Sequence, residues 1–278
     1  MAFRPFNLSH KSTQACQPAA RGDLACRMID KSRHARDPAV ESFFLGPIDF
    51  ETCLALQQRL VFEAGGRNDG QISLLICEHP AVITVGRLGS RAHIRLSPRE
   101  LASRQLEVRW VNRGGGCLLH APGQLAIYPI VPLTWHAWSV GEYLARLERG
   151  ILATLAELGI EGQIPSGAQA GRGVWGRSGQ LAAFGVAVKS WTTYFGAYIN
   201  VDPKLQACRS IDSDPLGGTP VSSLAAERRR PVKMPTVRAT IVRHLAEALG
   251  CPRYHLYTGH PLAAELLRTK HESAGRLR

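Results

Sequence analysis

Two hydrophobic periods alternate along this chain. An apolar run ending in Gly-Pro at residues 42–47 predicts a first strand and turn. Asp49 follows, placed to cap a helix that runs to about Ala64 and is closed by Gly65-Gly66. Residues 72–77 and 82–87 are apolar runs of strand length, separated by Glu78-His79-Pro80. An alternating run over residues 106–111 predicts another strand, and the apolar run 125–131 a further one, with a glycine-rich turn between them. From Ser139 the period lengthens. Val140, Tyr143, Leu144, Leu147, Ile151, Leu155 and Leu158 share one face of a helix. Ser139 with Glu142 forms a capping box at its start, and Gly159 supplies its stop. Residues 162–177 read as a loop. Residues 181–188 and 192–201 read as two strands, and the short link 189–191 makes them an antiparallel hairpin. Residues 236–249 predict a second amphipathic helix, ended by Gly250.

Strands clustered apart from helices predict an α+β domain over residues 41–255, not a doubly wound parallel sheet. Residues 1–40 are polar and basic without a sustained apolar period and are expected to be a flexible extension; residues 256–278 read as a polar tail.

Composition changes the picture in two places. A formal charge of +12 on 278 residues draws the chain toward acidic partners, but its basic residues are scattered. Arg228-Arg229-Arg230 is the one dense run and no nucleic-acid module signature appears, so a nucleic-acid partner is not expected. Acidic carrier proteins suit such a surface equally well. The seven cysteines show no Cys-x-x-Cys spacing, so neither a metal site nor a disulfide framework is read, and no cofactor is expected. No apolar run reaches membrane-spanning length. A monomer in a reducing compartment, the cytoplasm, is the expectation.

Candidate chemistry gathers at Arg113-Gly114-Gly115-Gly116-Cys117, followed by His120, Gln124 and Tyr128. Three glycines free the backbone for positive φ and for close approach to a ligand. The residues alone leave two readings open: a tight hairpin with His120 as a satisfied core residue, or a ligand-binding turn.

The longer string resembles the signature of the octanoyltransferases of lipoate biosynthesis, the lipoate-protein ligase B family. Their Arg-Gly-Gly, spacer, His, two residues, Gly-Gln and Tyr are matched by Arg113-Gly114-Gly115, His120, Gly123-Gln124 and Tyr128. Leu118-Leu119 replaces the usual Thr-aromatic pair and makes the lining more apolar. Glu78-His79-Pro80 with Gly86-Arg87, and residues 182–188 with Trp191, Phe195-Gly196 and residues 199–201, extend the resemblance over roughly residues 43–250. On their own residues, Glu78 and His79 read as ordinary turn positions. The resemblance implies a mixed, largely antiparallel sheet with packed helices, of the biotin/lipoate ligase type. It implies a substrate site of Arg87, Arg113, Gly114, Gly115, Gly116, Cys117, Leu118, Leu119, His120, Gly123, Gln124 and Tyr128. Ala183, Phe184, Gly185, Gly196, Ala197 and Tyr198 would wall an acyl pocket on two small-residue strands.

Family members move octanoyl from acyl carrier protein to a lysine of a lipoyl-accepting domain. They pass through a cysteine thioester, with a lysine that lowers the thiol pKa. By register those two positions fall here on Asp214 and Gln180, and neither required residue is present. Three expectations follow. The nucleophile is relocated, to Cys117 with His120 three residues away, or to Cys208. Alternatively transfer is direct, with Asp214 or His120 as base and glycine-turn amides polarising the thioester. Or the chain binds an acyl or carrier partner without turnover. A ligase that activates lipoate or biotin with ATP is a further alternative within the fold, but Lys189 is out of register for its lysine.

Overall fold

The computed structural model describes residues 39–67, 69–165, 173–212 and 220–275. The chain opens with β1 (Val40–Pro47), α1 (Phe50–Arg67), β2 (Ile72–Glu78) and β3 (Val82–Val85). A 3-10 turn at Arg91–His93 leads to α2 (Pro98–Ser103), β4 (Glu107–Trp110), β5 (Cys117–His120) and β6 (Gln124–Ile130). Then come α3 (Leu133–His136), α4 (Val140–Glu157), β7 (Gly173–Gly176), β8 (Gly179–Lys189) and β9 (Thr192–Asn200). The C-terminal third holds α5 (Leu205–Cys208), α6 (Leu224–Arg228), α7 (Met234–Ala248), β10 (Tyr254–Thr258) and α8 (Pro261–Gly275).

Seven strands form the main sheet in the order β10-β1-β2-β6-β9-β8-β7, parallel from β10 to β2 and antiparallel beyond. Period-two alternation divides its two faces. Leu74, Ile76, Leu125, Ile127 and Ile199 point to one side, under α4 and α7. Leu75, Ala126, Tyr128 and Tyr198 point to the other, under α1 and Ala263 of α8. The capping box at Ser139 and Glu142 starts α4 as the sequence predicts. Its Leu147, Ile151 and Leu155 are fully buried, each contributing about 1.5–3 kcal/mol by transfer from water. A second sheet, β4-β3-β5, stands beside the first. Ile83, Val85, Cys117 and Leu119 face a cluster with Ile94, Leu96, Cys208 and Ile211, whereas Val82 and Leu118 face the core under α1.

Four expectations are corrected. Gly65-Gly66 do not close α1, which continues to Arg67; neither glycine takes a positive φ, and the left-handed residue that turns the chain is Gly70 (φ +68). The glycine turn does not make a hairpin. β3 lies between β4 and β5, parallel to the first and antiparallel to the second. The loop predicted over residues 162–177 contains β7, an edge strand on β8. Finally, the polar tail is structured. β10 extends the sheet beside β1, and α8 lays Leu262, Ala263 and Leu266 against the α1 side of the core. Lys270 pins that helix to Asp49 at 2.7 Å. Its apolar stripe is three residues long, too short to stand out from a polar composition.

Candidate active site

The two sheets meet around Arg113. It is 1% exposed, and its guanidinium donates to the Thr84 carbonyl (3.0 Å), the Thr84 hydroxyl (2.8 Å) and the Gly114 carbonyl (2.9 Å). Among the described residues no carboxylate balances it; the Tyr198 ring lies 6.0 Å from its central carbon. Thr84 spends its own proton on His120 Nε2 (2.8 Å), and His120 Nδ1 donates to Gln124 Oε1 (3.0 Å). Gln124 Nε2 donates onward to Asn200 Oδ1 (3.0 Å), and Asn200 donates to the Gln180 carbonyl (3.4 Å). One tautomer satisfies the whole relay, with the proton on Nδ1 of a neutral His120. Burial first, then the nearby His79 and Arg113, push the His120 pKa well below the ordinary imidazole value. Both of its ring nitrogens are occupied, so His120 orients the relay and offers no free lone pair for a proton transfer. His120, named from the sequence as a possible base, is here a fully hydrogen-bonded link between Thr84 and Gln124.

The glycine turn wraps the end of β3. The amides of Gly86, Arg87 and Leu88 donate to the carbonyls of Gly116, Arg113 and Gly115. A Cβ at Gly86 would lie 2.5 Å from the Gly115 carbonyl oxygen, and Gly115 itself takes φ +80. The Gly114 amide is spent on the Val186 carbonyl at 3.0 Å, so it is not an oxyanion donor. Arg87 is exposed at the rim and reaches the Asn112 carbonyl. The small residues that the resemblance gives to an acyl pocket are filled by protein. A Cβ on Gly185 would strike Arg113 Cδ at 2.8 Å, and one on Gly196 would strike the Ile127 carbonyl oxygen at 2.2 Å. Those glycines admit the buried arginine and a close strand approach. Phe184 and Ala197 belong to the core under α4 and α7.

A small cavity opens where the relay ends. Leu118, Leu119, Gln124, Gln180, Ala183, Tyr198, Asn200, Cys208 and Val221 line it, and its volume of about 20 Å³ is room for about one water. Burial raises the pKa of the Cys208 thiol and pushes the Tyr198 hydroxyl up to about 12. Cys117 is elsewhere. Residues three apart on a strand point to opposite faces. Cys117 therefore lies in the cluster with Ile83 and Ile94, its thiol bonded to the Ser90 carbonyl, whereas His120 faces Phe50 and Tyr198. The Cys117–His120 nucleophile pair is corrected on that ground, and burial raises the Cys117 pKa as well. Asp214 lies outside the described residues. The chain approaches it from Asp212, paired to Arg95, and resumes at Pro220, whose carbonyl accepts from the Gln180 amide.

The sequence and the fold have counterparts among known proteins. The sequence profile described as "Lipoyl protein ligase A/B catalytic domain" matches residues 49–246. The chain belongs to this family. An octanoyltransferase of Chloroflexus aggregans is 38% identical over 208 residues, which are 73% of this chain and 91% of that protein. One from Geobacter metallireducens is 34% identical over 197 residues, covering 71% and 87%. In shape the chain is similar to lipoate-protein ligase A bound with ATP, with TM-score 0.67, 13% identity, and coverage of 83% of this chain and 93% of that one. Protein Ta0514 from T. acidophilum with bound lipoic acid gives TM-score 0.64, 11% identity, and coverage of 84% and 95%. The α+β fold of the lipoate ligase type is thus the fold of this chain.

Within that family fold, two residues read as plain turn positions carry structure. Glu78 accepts the Gly123 amide (3.0 Å) and pairs with Arg238 of α7 (2.6 Å), fixing the turn that starts β6. Gly123, at φ +88, has no room for a Cβ, which would meet the Asp202 carbonyl oxygen at 2.4 Å. His79 is buried between the Ile48 carbonyl (2.7 Å) and the Tyr128 hydroxyl (2.8 Å). Thr84 belongs to none of the motifs named from the sequence. A lone hydroxyl in the apolar run 82–85 was the available signal.

Proposed function

We propose that the chain transfers octanoyl from a carrier-protein thioester to the lysine of a lipoyl-accepting domain, and that it does so without an acyl-enzyme. The supporting observation is the cavity wall, where Leu118, Leu119, Gln124, Gln180, Ala183 and Tyr198 share one surface at the end of the Arg113 relay. The acceptor amine attacks the thioester carbonyl, a C–N bond forms, the C–S bond breaks and the carrier thiol leaves. The proton lost by the amine passes through Asp214, the position of the family cysteine, to the leaving sulfur. Gln180, in the place of the family lysine, donates its carboxamide to the carbonyl oxygen. A neutral amide suffices there because no thiolate needs a cation beside it. The basic surface suits acidic carrier and lipoyl-accepting partners. The free thiols of Cys53, Cys77, Cys117, Cys208 and Cys251 suit a reducing cytoplasm. Among the described residues no helix is long and apolar enough to cross a membrane.

A second reading, an octanoyl thioester on Cys208, is favoured by the presence of that thiol on the cavity wall. Intact-mass measurement with octanoyl-acyl carrier protein and a lipoyl-accepting domain separates the two. The expected result is a modified acceptor, no adduct on the chain, and a loss of turnover of at least tenfold in Asp214→Asn but not in Cys208→Ser. A hydroxylamine-labile adduct abolished by Cys208→Ser would transfer the assignment to the thioester route. No modified acceptor at all would leave an acyl- or carrier-binding protein without turnover.

A further inference from the structure

In the core under α1, two thiols and an imidazole meet. Cys53 comes from α1, Cys77 from β2 and His79 from the turn after β2. The thiol sulfurs are 3.9 Å apart, and Cys77 Sγ is 3.6 Å from His79 Nε2. All three donor atoms fall within 4.8 Å of one another, and all three residues are buried. We propose that Cys53, Cys77 and His79 form a buried site for a thiophilic d10 cation, zinc(II) or copper(I).

Three observations carry this. Ligand atoms about 2.3 Å (sulfur) and about 2.0 Å (nitrogen) from a common centre stand roughly 3.5–4 Å from one another, the spacing of Cys77 Sγ from both Cys53 Sγ and His79 Nε2. The His79 ring is already set for the role: Nδ1 donates to the Ile48 carbonyl at 2.7 Å, which leaves the Nε2 lone pair turned toward the sulfurs. Nε2 now accepts from the Tyr128 hydroxyl at 2.8 Å, so that oxygen stands within reach as a fourth group. Finally, Gln57 Nε2 lies 3.8 Å from Cys53 Sγ, a donor able to steady a thiolate, and Gln57 is itself fixed by accepting the Phe195 amide. Binding would displace two thiol protons. With zinc(II) the two thiolates and neutral imidazole sum to zero charge, which an apolar core tolerates; copper(I) meets the preference for soft donors and low coordination number.

A donor set assembled from three elements and closed to water loads as the chain folds, so metal content becomes a property of folding. The full chain is purified under reducing conditions without chelator, and zinc and copper are counted by plasma mass spectrometry. One equivalent of either ion per chain is expected, which also identifies the ion. It should be lost in Cys53→Ala and Cys77→Ala and kept in Cys251→Ala. Should the first two variants not fold, the wild-type chain is unfolded with chelator and refolded with zinc(II), with copper(I) under reductant, or with neither. Uptake of one equivalent and a raised unfolding temperature with one of the ions sustains the site. Metal-free protein that refolds identically in all three conditions overturns it, as does a Cys53–Cys77 disulfide in the purified chain. None of these readouts depends on octanoyl transfer.

Discussion

At the scale of single residues, the organising problem is how to keep the Arg113 cation in a core that offers it no carboxylate. The answer is a string of neutral acceptors whose polarity runs from Thr84 through His120 and Gln124 to Asn200. Thr84 is the hinge, because it accepts from the guanidinium and donates to the imidazole through one oxygen. Thr84→Val keeps the shape and strands one buried donor and one buried acceptor. At roughly 1–3 kcal/mol for each unmet group, it should cost about 2–6 kcal/mol in denaturant unfolding, while Thr84→Ser recovers most of the loss. A Thr84→Val protein as stable as the parent would mean that water or another group replaces the relay. Much of this scale was legible. Arg113, His120, Gln124 and Gln180, all named from the sequence, are joined by the relay and the cavity at its end. The side a residue faces was less so. Cys117 and His120 are close in sequence, but strand parity sends them into different cores.

At the scale of elements, sustained periodicity decided what could be read. α4 and α7 carry continuous helical stripes that the sequence displays openly, and the β8–β9 hairpin is legible in its short link. β7, β10 and α8 were missed because edge strands and a three-residue stripe leave weak patterns. The β7–β8 turn is held instead by polar contacts. Glu227 of α6 accepts from the Ser178 amide at 2.7 Å and from the Ser178 hydroxyl, with Arg177 alongside. Burial acts to raise the Glu227 pKa, but these bonds prevail and hold it below the ordinary glutamate value. A depressed carboxylate contributes stability that is fully present above its unfolded pKa of about 4.3 and is lost as pH falls through the folded value. Amide exchange in residues 176–180 should therefore accelerate as pH drops below about 4, after correction for intrinsic rates. In Glu227→Gln those amides should exchange faster at neutral pH and lose that acid dependence. An acid response unchanged by Glu227→Gln would move the cause to another group.

At the scale of the molecule, neither the splitting of the strands into two sheets nor the placement of β3 between β4 and β5 could be read from local pattern. Both depend on contacts far apart in sequence. For the proposed octanoyl transfer, the consequence is that a cavity of about 20 Å³ is too small for an eight-carbon chain. Acyl binding therefore has to open space, and the wall decides where. Ala183 and Tyr198 sit on paired strands of the main sheet, fixed by the ladder between β8 and β9. Cys208 and Val221 lie on short segments beyond it, so the latter side is the one to yield. Half-buried Ala183 is then a gauge of the space available on the rigid side. Ala183→Leu adds three carbons on that wall. The same yielding side can take up the added bulk in the free protein, so stability should change by only about 1 kcal/mol. Octanoyl transfer should fall at least tenfold, and a four-carbon acyl donor should recover most of the rate, because the added bulk competes with the far end of the chain. Equal losses for short and long donors would mean that the acyl tail runs elsewhere and that this cavity holds the thioester head alone.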